Sequence, residues 1–211
     1  MYSLKEFQCN KPCRTRTFFS CMLKDPILTQ LIKEYPPPNF TDRSEFLYQD
    51  LIESIVSQQL SIKAADTIFG RFTALFDENF PRPEQILTKS DEQLRAVGMS
   101  YQKASYIKAI ATAFLKKEIN TKKIQQMPDE DVIVELTKIR GVGKWTAEMI
   151  LIFTLKRPDI FSLGDLGLRN AITNLYGITD PKEMLTLSAT WSPHRSTASW
   201  YLWRSLENKK I

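Results

Sequence analysis

The residues best suited to chemistry lie in two short segments. Leu136-Thr137-Lys138-Ile139-Arg140-Gly141-Val142-Gly143-Lys144-Trp145-Thr146-Ala147 reads as helix, tight glycine turn, helix. Amides of residues without a Cβ can approach an anionic oxygen closely, as a phosphate requires. Twenty positions after Trp145, Phe161-Ser162-Leu163-Gly164-Asp165-Leu166-Gly167 carries one carboxylate, Asp165. A Gly-x-Gly turn also serves as a plain structural corner. Here Ile139 and Val142 bracket it as apolar anchors, and Arg140 and Lys144 add positive charge. The next helix starts at once, so the amides from Gly143 to Thr146 and the positive dipole end join the glycine amides. Such an array holds a phosphate without reading sequence. A monovalent cation on the backbone carbonyls of Ile139 and Val142 would add to the grip.

Charge is concentrated where that grip needs it. The chain has 211 residues, a formal charge of +5 and a pI near 9.0. Between Lys103 and Arg157 there are 11 Lys/Arg against 6 Asp/Glu, a net of +5, so the remainder sums to zero. A basic excess of this kind is either solvated surface or a nucleic-acid footprint. The 43% hydrophobic content fits a globular protein with a real core, in one domain or two small ones. No apolar run approaches the roughly 20 residues a membrane helix needs. The first twenty residues lack a signal-peptide core, so an intracellular protein with no membrane role is expected, cytoplasmic or nucleoid-associated in a bacterium and nuclear in a eukaryote. Cys9, Cys13 and Cys21 form no Cys-x-x-Cys, and the only histidine is His194. A disulfide framework, an iron–sulfur loop or a catalytic metal is therefore not expected.

The elements that must position these segments read as helices throughout. Residues 1–22 show no period and form an expected arm. Asp25 opens a short helix that stops at Pro36-Pro37-Pro38. Asp42 with Glu45 resembles a capping box. Leu47, Leu51 and Ile55 repeat at four, as do Ile52, Val56 and Leu60. A helix over about 62–76 follows. Ser90 with Gln93 gives a second capping-box signal, and Gly98 stops that helix. Residues 101–117 place Ile107, Ile110, Ala111, Phe114 and Leu115 at helical spacing. Pro128 suits a first helical position before Asp129-Glu130-Asp131. The hairpin's second helix is expected from Lys144 to Leu155, and two or three helices over 165–208. No segment alternates as a strand would, so the chain reads as all-α.

Ile139-Arg140-Gly141-Val142-Gly143-Lys144-Trp145-Thr146-Ala147-Glu148-Met149 resembles the helix-hairpin-helix of the base-excision DNA glycosylase superfamily. The loop around Asp165 resembles that superfamily's Gly/Pro-rich loop, although a proline common in relatives is Leu163 here. Ser57-Gln58-Gln59-Leu60-Ser61 and Trp191-Ser192-Pro193-His194-Arg195-Ser196 are similar to further stretches of the 3-methyladenine DNA glycosylase II branch. The resemblance runs from about Asp25 to Glu207. It implies a bilobal all-α fold: one lobe over 42–155, ending in the hairpin, and another built from 23–41 plus 156–211, with Asp165 at the cleft. Too few residues precede Asp25 for the extra β domain of some members.

The resemblance also implies roles. Asp165 becomes the catalytic carboxylate, stabilising oxocarbenium character as the base departs and orienting the attacking water. A helix N-cap is the plain alternative for Asp165, and the two are compatible. A methylated purine already carries positive charge, so it needs no separate general acid. Trp145 stands where bifunctional members carry a lysine that attacks the sugar. Lys144 lies one residue earlier, rotated by about 100° on a helix, so it is expected to face phosphate. Trp145 and Trp203 are the expected walls of a pocket for the flipped base, with Trp200 and Tyr201 as weaker candidates. Met149 replaces a tyrosine of some relatives, and Leu166 also lacks an aromatic ring; both are expected pocket residues. Gln58-Gln59-Leu60 matches the wedge region, with Gln59 or Leu60 entering the duplex through the minor groove.

The expected protein is a monofunctional, cofactor-free enzyme, monomeric, that removes alkylated purines of the 3-methyladenine type from double-stranded DNA. The alternatives are a related glycosylase with another base preference or lyase activity, and a helix-hairpin-helix module that binds DNA without catalysis.

Overall fold

The computed structural model describes residues 22–76 and 80–207. Apart from Met22, the expected arm lies outside them, with Cys9, Cys13 and Cys21. Met22 is fully buried and begins a single 3₁₀ turn. In chain order the α-helices are α1 (Pro26–Glu34), α2 (Leu47–Ser57), α3 (Ile62–Thr73), α4 (Pro83–Thr88), α5 (Asp91–Ala96) and α6 (Tyr101–Leu115). Then follow α7 (Thr121–Gln126), α8 (Asp129–Thr137), α9 (Lys144–Met149), α10 (Leu166–Tyr176), α11 (Pro181–Ala189) and α12 (Arg195–Glu207). No strand occurs among the described residues, as the all-helical reading expected.

These residues divide into two compact units, Asp42–Leu155 and 22–41 with 156–207. In the first, α2 buries Leu47, Leu51, Ile52, Ile55 and Val56, so one expected four-residue repeat faces the core whole and the other through Ile52 and Val56, with Leu60 beyond the helix and half-buried. It packs on α3 and α6, and α6 packs in turn on α4 and α5. Ala104, Ile107, Ile110 and Ala111 of α6 are buried as their spacing implies, but Leu115, at its last turn, is 42% exposed. The Ser90–Gln93 capping box forms with both reciprocal hydrogen bonds, at 3.2 and 2.8 Å. Gly98 follows α5 with φ of +108°, a conformation that favours glycine.

Three local readings differ. Asp42 does not cap an α-helix; its carboxylate accepts the Ser44 N–H at 2.9 Å and leads into a 3₁₀ turn, Ser44–Phe46. Pro128 is the N-cap of α8, one position before the first helical residue. The hairpin's second helix does not stay α to Leu155: it widens into a π-helical turn at Ile150–Thr154. The end of that turn is held from outside the helix. The Arg43 N–H donates to the Thr154 carbonyl at 2.8 Å, while the Thr154 hydroxyl donates to Asp50 at 2.8 Å. Asp50 is 3% exposed and also pairs with the Arg43 guanidinium at 2.9 Å. A buried carboxylate needs this company, because an unpaired one is costly.

In the second unit, α12 packs on α1 and α10. Its core includes Leu28, Leu168, Ile172, Trp191, Trp200, Tyr201 and Leu202, all buried. Asp25 organises it. One carboxylate oxygen caps α1 through the amides of Ile27 and Leu28, at 2.9 and 3.1 Å. The other accepts the Tyr176 hydroxyl at 2.8 Å and the Trp191 indole N–H at 3.0 Å. Burial, then the bond to Asp25 and its charge, raise the Tyr176 pKa and keep the phenol protonated.

Candidate functional site

In the first unit the hairpin is a tight turn between α8 and α9. The Ile139 carbonyl accepts the Val142 N–H at 3.0 Å, which closes the turn and leaves that oxygen a second lone pair. Ile139 and Val142 are 6% and 4% exposed, so the expected anchors are anchors. Gly141 has φ of +96°, and a Cβ there would lie 2.2 Å from Cγ of Tyr106. Glycine is required at 141 by conformation and by the ring beneath it. Gly143 differs: a Cβ there meets nothing within 4 Å, and it is the N-cap of α9. Gly143 is exposed and opens onto surface.

Arg140 and Lys144 are exposed, with the Lys144 ammonium 3.8 Å from Glu148. Thr146 is 2% exposed, and its hydroxyl accepts from the Gln58 side chain at 3.4 Å. Trp145 is half-buried at the second position of α9. Met149, at 2% exposure, is a core side chain. The pocket role expected for Met149 does not fit, because the core covers it.

Residues 58–60 follow α2 directly. Gln58 leaves the helix with ψ of 130°, and Gln59 adopts φ of +59°. Gln59 is exposed, while Gln58 and Leu60 are half-buried. The Leu60 N–H turns back to the Ser57 carbonyl at 3.2 Å. The Lys103 ammonium donates to the Val56 carbonyl at 2.7 Å and the Gln58 carbonyl at 2.8 Å. Burial lowers the Lys103 pKa. Nothing in the sequence singled out Lys103; only the fold brings it to this turn.

In the second unit, Asp165 is the N-cap of α10, and its Oδ1 accepts the Leu168 N–H at 2.8 Å. The same oxygen accepts the Trp203 indole N–H at 2.9 Å. Both side chains are half-buried. Gly167 makes the approach feasible: a Cβ there would lie 3.0 Å from Oδ1 and 3.2 Å from the indole Cδ1. Leu166, beside the carboxylate, is 63% exposed, unusual for leucine. Trp200 and Tyr201 are 2% and 1% exposed and belong to the core, so neither can wall a base pocket.

The loop before Asp165 is clamped by residues of the Trp191–Ser196 stretch. Arg195 holds Asp159 through its guanidinium at 2.8 and 3.0 Å and through its own N–H at 3.2 Å. Ser192 adds a hydroxyl at 2.8 Å. Ser196 donates to the Arg157 carbonyl at 2.7 Å and accepts the Ile160 N–H at 3.0 Å. The Asp165 N–H then bonds the Ser162 carbonyl at 3.1 Å. Among the described residues no cluster of His, Cys, Asp and Glu could hold a metal ion, and no helix is long and apolar enough to cross a membrane.

This geometry belongs to a known lineage. The chain is 38% identical, over 84% of its length and 80% of the relative's, to DNA-3-methyladenine glycosylase 1 of Schizosaccharomyces pombe. Among solved structures it matches the 3-methyladenine DNA glycosylase of that yeast in complex with abasic DNA, at 34% identity and a TM-score of 0.82, covering 90% of this chain and 96% of that one. It matches a DNA-3-methyladenine glycosidase from Bacillus halodurans at 34% identity and a TM-score of 0.77, covering 92% and 91%. The model of the HhH-GPD superfamily of base excision DNA repair proteins matches residues 52–195. The chain, with its glycine hairpin and capped aspartate, belongs to that superfamily.

Proposed function

We propose that this protein is a monofunctional DNA glycosylase that removes alkylated purines, of the 3-methyladenine type, from duplex DNA in base-excision repair. The observation that carries the reading is the carboxylate of Asp165, fixed at a helix start by the Leu168 amide and the Trp203 indole. Held this way, it needs little reorganisation as positive charge develops on the sugar, and it can orient the water that adds there. The relatives named for 3-methyladenine support the substrate class.

The other unit supplies the grip. Gly141 and Gly143, the amides of Lys144 to Thr146, and the Arg140 and Lys144 side chains take the phosphate backbone. A monovalent cation on the Ile139 and Val142 carbonyls suits backbone oxygens at this turn. Trp145 stacks on the extruded base, and Leu166 offers it apolar surface. Trp203 serves the carboxylate as donor and the base as a flat wall. Gln59, the exposed residue of its turn, fills the gap left in the duplex. The protein works on DNA inside the cell as a monomer.

Incubation with methylated duplex DNA tests the reading. Free methylpurine should appear, and strands should break only after alkali. Borohydride trapping of a covalent enzyme–DNA adduct would show lyase chemistry instead. Binding without base release would leave a DNA-binding module.

A further inference from the structure

The turn at residues 58–60 has one hydrogen bond of its own, from the Leu60 N–H to the Ser57 carbonyl at 3.2 Å. Gln59 takes a left-handed φ of +59° without being glycine. The carbonyls at the end of α2 also lack partners within the helix. Two of them, of Val56 and Gln58, converge on one ammonium, Lys103, reaching across from α6. A charged donor at a helix C-terminus suits the dipole as well. One turn further along α6, Tyr106 lies beneath Gly141 of the hairpin. The Gln58 side chain adds a bond to Thr146 of α9. A single helix thus supports both DNA-facing turns of this unit.

We propose that Lys103 is a positioning residue: it fixes the turn of residues 58–60 so that Gln59 is presented ready to enter the duplex. The inference rests on the glycosylase reading and on Gln59 as the wedge. Lys103 touches neither sugar nor base in this scheme. Its contribution is confined to the step in which the lesion leaves the stack, so it matters only where there is a stack to leave.

The test compares Lys103→Met with wild type in single-turnover release of 3-methyladenine from duplex and from single-stranded DNA of the same sequence. A misplaced turn should slow duplex release by roughly 10- to 100-fold. Release from the single strand should change by less than about threefold, because little unstacking is required. Equal losses on both substrates, or no loss on duplex, overturn the proposal. Should Lys103→Met not fold, Lys103→Gln, too short to reach both carbonyls, carries the same comparison with the same two outcomes. A second readout needs no catalysis: 2-aminopurine placed opposite a stable abasic analogue should change fluorescence on saturation with wild type and much less with the variant. A wild-type response from the variant overturns the proposal. Wild-type protein that releases no base from either substrate overturns the glycosylase reading itself, a different result.

Discussion

The indole N–H of Trp203 donates to Oδ1 of Asp165 at 2.9 Å, the same oxygen that accepts the Leu168 amide at 2.8 Å. Two donors of different kinds, one from a helix start and one from α12, fix one oxygen and with it the plane of the carboxylate. A carboxylate with rotational freedom would have to be oriented anew in each turnover. Here the orientation is set before substrate binds.

Asp165→Asn should abolish base release while leaving fold and DNA binding intact. Asparagine caps helices as well as aspartate does, and its carbonyl can still accept from Leu168 and Trp203. The negative charge is lost, and an NH2 donor replaces the second acceptor oxygen. The single-turnover rate should fall by roughly 10³-fold or more, with an unchanged thermal midpoint and unchanged affinity for an abasic analogue. Substantial release from the variant would show that another group carries the reaction.

Trp203→Phe separates the two duties assigned to this ring. Phenylalanine keeps a flat apolar face and removes the N–H. A hydrogen bond to a charged group is worth about 1.5–3 kcal/mol, so the rate should fall by roughly 10- to 100-fold. KM should move little, since the stacking face remains. A change confined to KM would mean that the indole serves binding alone.

The two hairpin glycines should respond differently to alanine. At Gly141 the new methyl would collide with Tyr106 and require an unfavourable positive φ. Gly141→Ala should therefore cost about 1–3 kcal/mol of stability. At Gly143 there is space and φ is −91°, so the thermal midpoint should hold. Affinity for DNA should nevertheless fall by about tenfold or less for every sequence, because the methyl stands where a phosphate would approach. If neither variant binds DNA more weakly, the hairpin is not the grip.

Much of this was legible in the sequence, and the limits have physical reasons. Helices α2 and α6 announced themselves through apolar spacing, and the Ser90–Gln93 box through side chains that act within one turn. Asp165 was legible as an N-cap, and resemblance marked it as the carboxylate proposed to react. What stayed hidden depends on partners distant in sequence. Lys103 reads as an ordinary solvated lysine until α6 brings it to the end of α2. The bond between Trp203 and Asp165 spans 38 residues. Met149 was expected in the pocket by resemblance, and a matching position does not say that the rest of the unit buries it. The π turn after α9 escaped for a related reason: Asp50 and Arg43, from elsewhere in the unit, hold Thr154 at its end.

Lys144 should contribute charge and little else. Its side chain is 72% exposed, and Glu148 is the one carboxylate near it among the described residues, 3.8 Å away. Exposed pairs of this kind add little to stability. Lys144→Ala should weaken binding to damaged and undamaged duplex alike and reduce the slope of log K against log salt by about 0.9. A loss restricted to damaged DNA would instead place Lys144 near the lesion.

The Asp159–Arg195 clamp links folding in acid to the loop that carries Asp165. Burial works to raise the Asp159 pKa, but the hydrogen bonds from Arg195 and Ser192, with the Arg195 charge, outweigh it, and the net shift is downward. A carboxyl whose pKa falls on folding stabilises the native state above its unfolded value. That contribution is lost as pH drops through the lower, folded value. Asp159→Asn should therefore lower the thermal midpoint near neutral pH, and its gap to wild type should narrow below about pH 4. A gap that stays constant down to about pH 2 would mean that the ionised form is not what stabilises the clamp. Because the clamp holds the chain just before Asp165, the variant should also lose turnover at neutral pH while its affinity for an abasic analogue persists.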